Sequence, residues 1–224
     1  MEFITPKIMD RIRLFIDKLS KEVSTPELTN VYSPEIPQSE ICRENLYNYL
    51  QRIQNNNSKI MLIGEAPGYH GCRLSGIAFT CEENFTEDII PGIMGKDLGY
   101  KIFSDGKPEK ELSASIVWPK LKEWYMLHGC VPLLWNICPF HPHKKNDVKS
   151  NRTPQKEEIE RGIKYFLELV NIFNIQHIGC IGRESFNAIE AMNLNTSLEY
   201  LRHPSCGGIK KFRKMTDKFM EKYL

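Results

Sequence analysis

Four residues scattered along the chain are of the types needed to part a sugar from a planar base. An acid, Glu65, follows an apolar run in KIMLIGEAPG, wedged between Gly64 and Ala66-Pro67. An amide, Asn136, lies at the end of another such run, VPLLWNI, and an imidazole, His203, stands in LRHPS. Phe79 lies in GIAFT, shortly after the acid. A carboxylate can orient water and oppose a developing cation, and an imidazole donor can stabilise a developing oxyanion. An Asn side chain offers a donor beside an acceptor, which suits a base edge, and a phenyl ring stacks on a heterocycle. That set could break an N-glycosidic bond by dissociation, with positive charge on the sugar and negative charge on the departing base. Each residue also has a structural use: Glu65 as a turn acid, Asn136 as a satisfied buried amide, Phe79 as plain core. His203 has the least structural excuse for its place.

Such residues act together only if the fold gathers them. Four short apolar runs predict buried strands, at 59–63, 131–137, 176–181 and 197–201. Helical pattern separates them, clearest in TPQKEEIERGIKYFLELVNIF, where Thr153 caps, Pro154 opens and acids fill the first turn. The alternation predicts an α/β fold with a doubly wound, mainly parallel four-stranded sheet flanked by helices. In such sheets the ligand crevice lies outside the carboxyl ends of the strands. That rule gathers Glu65, Asn136, Gly182-Arg183 and His203 on one edge. Ahead of the first strand, Ile8, Ile12, Phe15, Ile16 and Leu19 share one face of a helix within 5–22. A loop, TPELTNVYSPEIPQ, then leads to a second helix, SEICRENLYNYLQRI, capped by Ser39. The expected organisation is one domain over 1–224, with 1–57 as a helical lead-in.

Other chemistries are excluded by what the sequence lacks. There is no GxxxxGK[ST], no GxSxG and no HExxH, and the six histidines have no metal-like spacing with the acids. The seven cysteines are odd in number and include no CxxC pair, so they predict reduced thiols of a cytoplasmic protein rather than a disulfide framework. No run of about 18 apolar residues is present, so no membrane span is expected. Net charge is only +2, but the basic residues cluster. From Arg202 to Leu224 seven cations face two acids, and from His143 to Lys156 five face Asp147 alone. A charge run can be a merely solvated face; here it also fits the footprint of a phosphate backbone. His141 and His143, beside Lys144 and Lys145, are expected on a solvated basic loop.

With these residues assembled, the chain resembles the uracil-DNA glycosylase superfamily. Gly64-Glu65-Ala66-Pro67-Gly68 is similar to its first motif in the form found in the thermostable, iron–sulfur branch. Gly76-Ile77-Ala78-Phe79 resembles the segment with the base-stacking Phe, and Leu133-Leu134-Trp135-Asn136 the strand that delivers the base-reading Asn. Asn151-Arg152-Thr153-Pro154, then a helix and IGCIGRESFNAI, resembles the connection before the last strand. His203-Pro204-Ser205 is similar to the second catalytic loop. These matches fall in the family's order over roughly residues 59–210. The resemblance implies Glu65 and His203 as catalytic residues, and Phe79, Asn136, Gly64, Ala66, Tyr69 and His70 as the base-binding set. DNA contacts are expected from Ser205 of the second catalytic loop and, from the two basic segments, Lys144, Lys145, Arg152, Lys210, Lys211 and Arg213.

The departures are specific. The iron–sulfur branch holds its cluster with four cysteines, including a close N-terminal pair that is missing here, so no cluster, metal or other cofactor is expected. The best-known branch has an acid where Ala66 stands and a thymine-excluding Tyr where Gly68 stands. Water positioning then passes to Glu65, and the vacated space is left to Tyr69 or His70. Ile209 is the nearest apolar side chain to replace that branch's wedge after HPS. The expected activity is hydrolysis of uracil or a related deaminated base from DNA by a monomer. The rivals are a catalytically silent member that binds nucleic acid or a base, and an N-glycosidase acting on small nucleosides.

Overall fold

The computed structural model describes residues 8–104 and 107–223. Its centre is a four-stranded sheet of β1 (Ile60–Gly64), β2 (Leu133–Asn136), β3 (His177–Ile181) and β4 (Ser197–Leu201). The order is β2-β1-β3-β4 and every pairing is parallel. The doubly wound parallel sheet expected from the apolar runs is therefore present, with strand ends within two residues of their predicted limits. Chain direction reverses its progress across the sheet at β1, which has β2 on one side and β3 on the other. That is the switch point at which open α/β sheets form their crevice.

The helices are α1 (Ile8–Ser20), α2 (Ser39–Asn56), the short α3 (Cys72–Ser75), α4 (Leu112–His128), α5 (Lys156–Phe173), α6 (Arg183–Glu190) and α7 (Ile209–Tyr223). They cover both faces of the sheet. Ile63 is in register with Trp135 and Cys180, and Leu62 with Leu134 and Gly179, so the two rows point to opposite faces. Phe15 of α1 meets Trp135 edge-on at 5.6 Å on the first face and Tyr165 of α5 at 5.9 Å. On the second face a Cβ at Gly179 would stand 3.3 Å from the Phe219 ring of α7, which in turn meets Trp124 of α4. Leaving out a side chain on β3 thus lets α7 settle closely onto the sheet.

Two expected helix starts are corrected. α5 begins at Lys156 with Gln155 as its cap, not at Thr153, because Glu158 reaches back to the Gln155 N–H at 2.8 Å and closes a capping box there. α2 is preceded by Gln38, and Ser39 is its first helical residue, with no side-chain cap. The expected face of α1 is buried at Ile12, Phe15, Ile16 and Leu19. Residues 5–7 and the Ile8 side chain lie outside the described residues. The edge strand β2 is covered by α2: the Leu134 N–H donates to the Tyr49 hydroxyl at 2.8 Å, satisfying an edge donor that would otherwise be buried unpaired.

Candidate active site

The acid after β1 is held by its backbone. The Ile137 N–H donates to the Gly64 carbonyl at 2.9 Å and the Cys138 N–H to the Glu65 carbonyl at 3.0 Å, which fastens the β1 exit to the β2 exit. Two residues on, the Pro67 carbonyl lies 2.8 Å from His141 Nδ1. Gly64 is needed for space. A Cβ there would collide with the Phe79 ring and stand 2.8 Å from Asn136 Oδ1. Because Gly64 and Asn136 are register partners, Glu65 emerges directly beside the amide.

Phe79 stands 7% exposed with φ at +54°, a left-handed conformation that bulky side chains avoid. Such a conformation costs about 1–3 kcal/mol and persists only where the surroundings enforce it. Here the buried Ser75 hydroxyl donates to the Thr80 carbonyl at 2.7 Å and accepts from the Ile77 N–H at 3.1 Å. Trp118 Nε1 donates to the Thr80 hydroxyl at 3.1 Å. Burying the phenyl ring returns about 1.5–3 kcal/mol, enough to offset the strain. Asn136, 4% exposed, donates from Nδ2 to Cys72 Sγ at 3.8 Å. Burial first, then the charges of Cys42 and Glu111, lift the Cys72 thiol well above its ordinary range, so it is an unreactive wall.

His203 lies just beyond β4, and its tautomer follows from its contacts. The Ser205 N–H points at Nδ1 from 3.2 Å and the Ser205 hydroxyl lies 2.7 Å from the same atom. Nδ1 is therefore the acceptor, and a neutral ring carries its proton on Nε2. Burial, reinforced by the Arg202 charge, lowers the imidazole pKa and favours that neutral form. Arg202 binds the His203 carbonyl at 2.9 Å and the Ser205 carbonyl at 3.3 Å, bracing the loop from inside. At Gly208 a Cβ would overlap the His203 carbonyl oxygen, so only glycine lets the chain entering α7 pass this close to the His203 backbone.

These elements enclose a cleft of about 1080 Å³ whose lining includes Glu65, Ala66, Phe79, Asn136, His203 and Ser205. Burial raises the Glu65 carboxyl above the ordinary carboxylate range; the Glu184 charge adds to the rise and the Thr153 hydroxyl opposes it. Glu65 is consequently a better base than a surface acid.

Other expected positions differ. Gly64 sits behind the cleft wall. Tyr69 and His70 lie outside the lining: their rings pack on each other at 3.8 Å, and His70 Nδ1 lies 2.8 Å from Glu109 Oε2. His141 and His143 are corrected from a solvated loop to buried positions, and burial pushes His141 down to about 4 against the pull of two carbonyl oxygens. Arg152 lines the cleft, but all five of its N–H donors have partners inside the protein, including a bidentate pair with Glu158 at 2.5 and 2.7 Å. It is a structural clamp rather than a free cation for phosphate. Lys144, Lys145, Lys210 and Arg213 are exposed outside the lining, whereas Lys211 borders it. The sequence analysis gave no role to Cys72, Glu111, Glu184 or Tyr200, which also line the cleft. Only Glu184 had a signal, as neighbour of the Gly182-Arg183 strand end.

Among the described residues no group of three or more His, Cys, Asp or Glu side chains could hold a metal ion, and no helix is long and apolar enough to cross a membrane. The family model for the uracil DNA glycosylase superfamily matches residues 51–224, a stretch that contains the whole sheet and every residue of the cleft. No curated protein matches the chain.

Proposed function

Because this chain belongs to the uracil DNA glycosylase superfamily, we propose that it hydrolyses the N-glycosidic bond of uracil, or of a related deaminated base, in DNA. The observation that carries this reading is the convergence of Glu65, Phe79, Asn136 and His203 on one cleft at the carboxyl edge of the sheet. A target base turned out of the duplex would stack on Phe79 while the Asn136 amide meets its hydrogen-bonding edge. The bond between C1′ and the base nitrogen then breaks, and its electron pair leaves with the base. His203 Nε2–H donates to the oxygen on which that negative charge develops, so a neutral imidazole suffices. Ionised Glu65 opposes the positive charge on the sugar and orients a water. The water oxygen bonds to C1′ and its proton is taken up by the carboxylate, which returns it to solvent, while the departing base anion takes a proton from solvent.

Support for a DNA substrate comes from charge. On α7, Lys210, Lys211 and Arg213 are exposed beside the cleft, while Asp217 is paired with Lys120 on α4. Lys144 and Lys145 are exposed on the turn after the buried histidines. The test is release of base from duplex and single-stranded oligonucleotides carrying uracil, hypoxanthine, xanthine or thymine, read as abasic sites. Cleavage at uracil or another deaminated base is expected. Binding without abasic sites would instead identify a silent binder. Cleavage of free nucleosides, with no salt dependence, would identify a small-molecule N-glycosidase.

A further inference from the structure

Beside the turn that carries Glu65, a buried imidazole faces two carbonyl oxygens and has one proton to offer them. His141 is fully buried on a two-residue strand, where Thr29 is its register partner. Its Nδ1 lies 2.8 Å from the Pro67 carbonyl oxygen and its Nε2 3.0 Å from that of Val148. Carbonyl oxygens can only accept, and a neutral imidazole has a single N–H, so one of these two contacts is not a hydrogen bond. His143, whose ring stacks on that of His141 at 5.3 Å, escapes this conflict. Its Nδ1 faces the Lys144 carbonyl at 2.8 Å, but its Nε2 lies 2.9 Å from the Thr29 hydroxyl, which can donate. A second proton on His141 is opposed by burial first, which holds its pKa at about 4, and then by the charges of His143 and Arg73. The remaining charged side chains of the loop, Lys144, Lys145, Asp147 and Lys149, are exposed.

We infer that His141 is a positioning residue for Glu65: it keeps its proton on Nδ1, donates it to the Pro67 carbonyl and leaves the Val148 carbonyl unbonded. The inference rests on the base-excision reading for the role of Glu65. Three observations favour Pro67 as the partner. It is the closer of the two carbonyls, and Pro67 is buried whereas Val148 is 44% exposed. An exposed carbonyl can turn to water, while a buried one without a donor bears the full cost of its desolvation. Pro67 also has no N–H, so its carbonyl is the only backbone group by which it can be held. The Ile137 and Cys138 N–H groups fasten the Gly64 and Glu65 carbonyls to the β2 exit. His141 fastens the chain two residues further on, so Glu65 enters the cleft from a turn held at both ends.

The experiment uses two substitutions that each keep one donor. His141→Asn can place an amide N–H where Nδ1 stood, and His141→Gln where Nε2 stood. Three quantities are read: the tautomer of His141 in the wild type by NMR of its ring nitrogens, the cleavage rate with DNA affinity beside it, and the titration of the Glu65 carboxyl by NMR. The wild type should carry its proton on Nδ1. His141→Gln should lose up to about 10²-fold in cleavage rate, the cost of a displacement of about 1 Å, with DNA affinity near that of the wild type. It should also move the raised Glu65 titration toward the ordinary carboxylate range, because a loosened turn exposes the acid. His141→Asn should restore both the rate and the titration. Equal losses in the two variants, or a folded His141→Gln with the wild-type rate, would reduce His141 to a structural residue and overturn the inference. A proton on Nε2 overturns it whatever the variants do. If His141→Gln does not fold, His141→Asn decides: a wild-type rate upholds the inference and a large loss overturns it. If neither variant folds, the tautomer decides. If the wild type releases no base at all, the base-excision reading fails and the Glu65 titration decides for His141. A shift in His141→Gln alone upholds its hold on the turn; no shift overturns it.

Discussion

On the wall made by the ends of β1 and β2, Glu65, Asn136 and Phe79 are gripped from behind. Backbone hydrogen bonds fasten the two strand exits to each other, the braced 75–80 turn holds Phe79, and the Gly64 backbone fills the space between ring and amide. On the opposite wall, made by the end of β4 and the start of α7, His203 is only partly buried and exposed cations follow it. In the proposed mechanism the first wall would fix the positions of base and water, where a displacement of 1 Å can cost about 10²-fold in rate. The second would supply a hydrogen-bond donor and positive charge, which act over a longer range and tolerate more motion. On that proposal the cleft is rigid on the side that grips a flat base and open on the side that admits a polymer.

The largest effect expected from breaking this division is at Glu65. Glu65→Gln keeps the shape and removes the charge, so the protein should fold and bind uracil-containing DNA but lose about 10²–10⁴ in cleavage rate. Normal cleavage with a lowered melting temperature would make Glu65 a turn residue only. On the opposite wall, His203→Ala should slow cleavage by about 10²–10³ while leaving DNA affinity near that of the wild type. Wild-type turnover in that variant would remove His203 from the mechanism.

The next effect, smaller again, separates the two basic segments. Log affinity for duplex DNA should fall with log salt by about 0.9 for each phosphate neutralised. Per residue removed, substituting Lys210, Lys211, Arg213 and Lys214 with Ala should flatten that slope more than substituting Lys144 and Lys145, because Lys211 borders the cleft. Equal flattening per residue would place the DNA evenly across both segments. The smallest effect concerns pH. Glu65 must be ionised and its carboxyl is raised, by burial first and Glu184 second, so activity should fall with acid at a pH above the ordinary carboxylate range. Glu184→Gln removes the second cause, and the acid limb should move to lower pH. A limb that stays in place would show that burial alone sets it.

Three strands were legible because a strand buried on both faces is a short continuous apolar run; β4 was expected to be buried like them, but it is an edge strand whose first four residues are only half-buried. α4 was harder to read. Pro119, a residue that usually ends helices, lies inside it, and exposed Leu112, Met126 and Leu127 blur its apolar face. The basic segments looked alike as strings of Lys and Arg. Only the fold showed that Arg152 is bound on every donor while Lys210 and Lys211 are exposed, because charge count carries no information about partners.

The sequence by itself determined the sheet, the strand-end positions of Glu65, Asn136 and His203, and the order of the motifs, since each depends on residues close together in the chain. Tertiary structure decided what stands around them. The Nε2–H tautomer of His203 follows from the way the loop turns Ser205 back onto Nδ1. The raised pKa of Glu65 depends on burial and on Glu184, more than a hundred positions away. The wall behind Gly68 and Gly71 belongs to Glu111, and no local pattern marks it, because a side chain that fills a gap left by two glycines is defined only by the packing of α4 against the β1 exit.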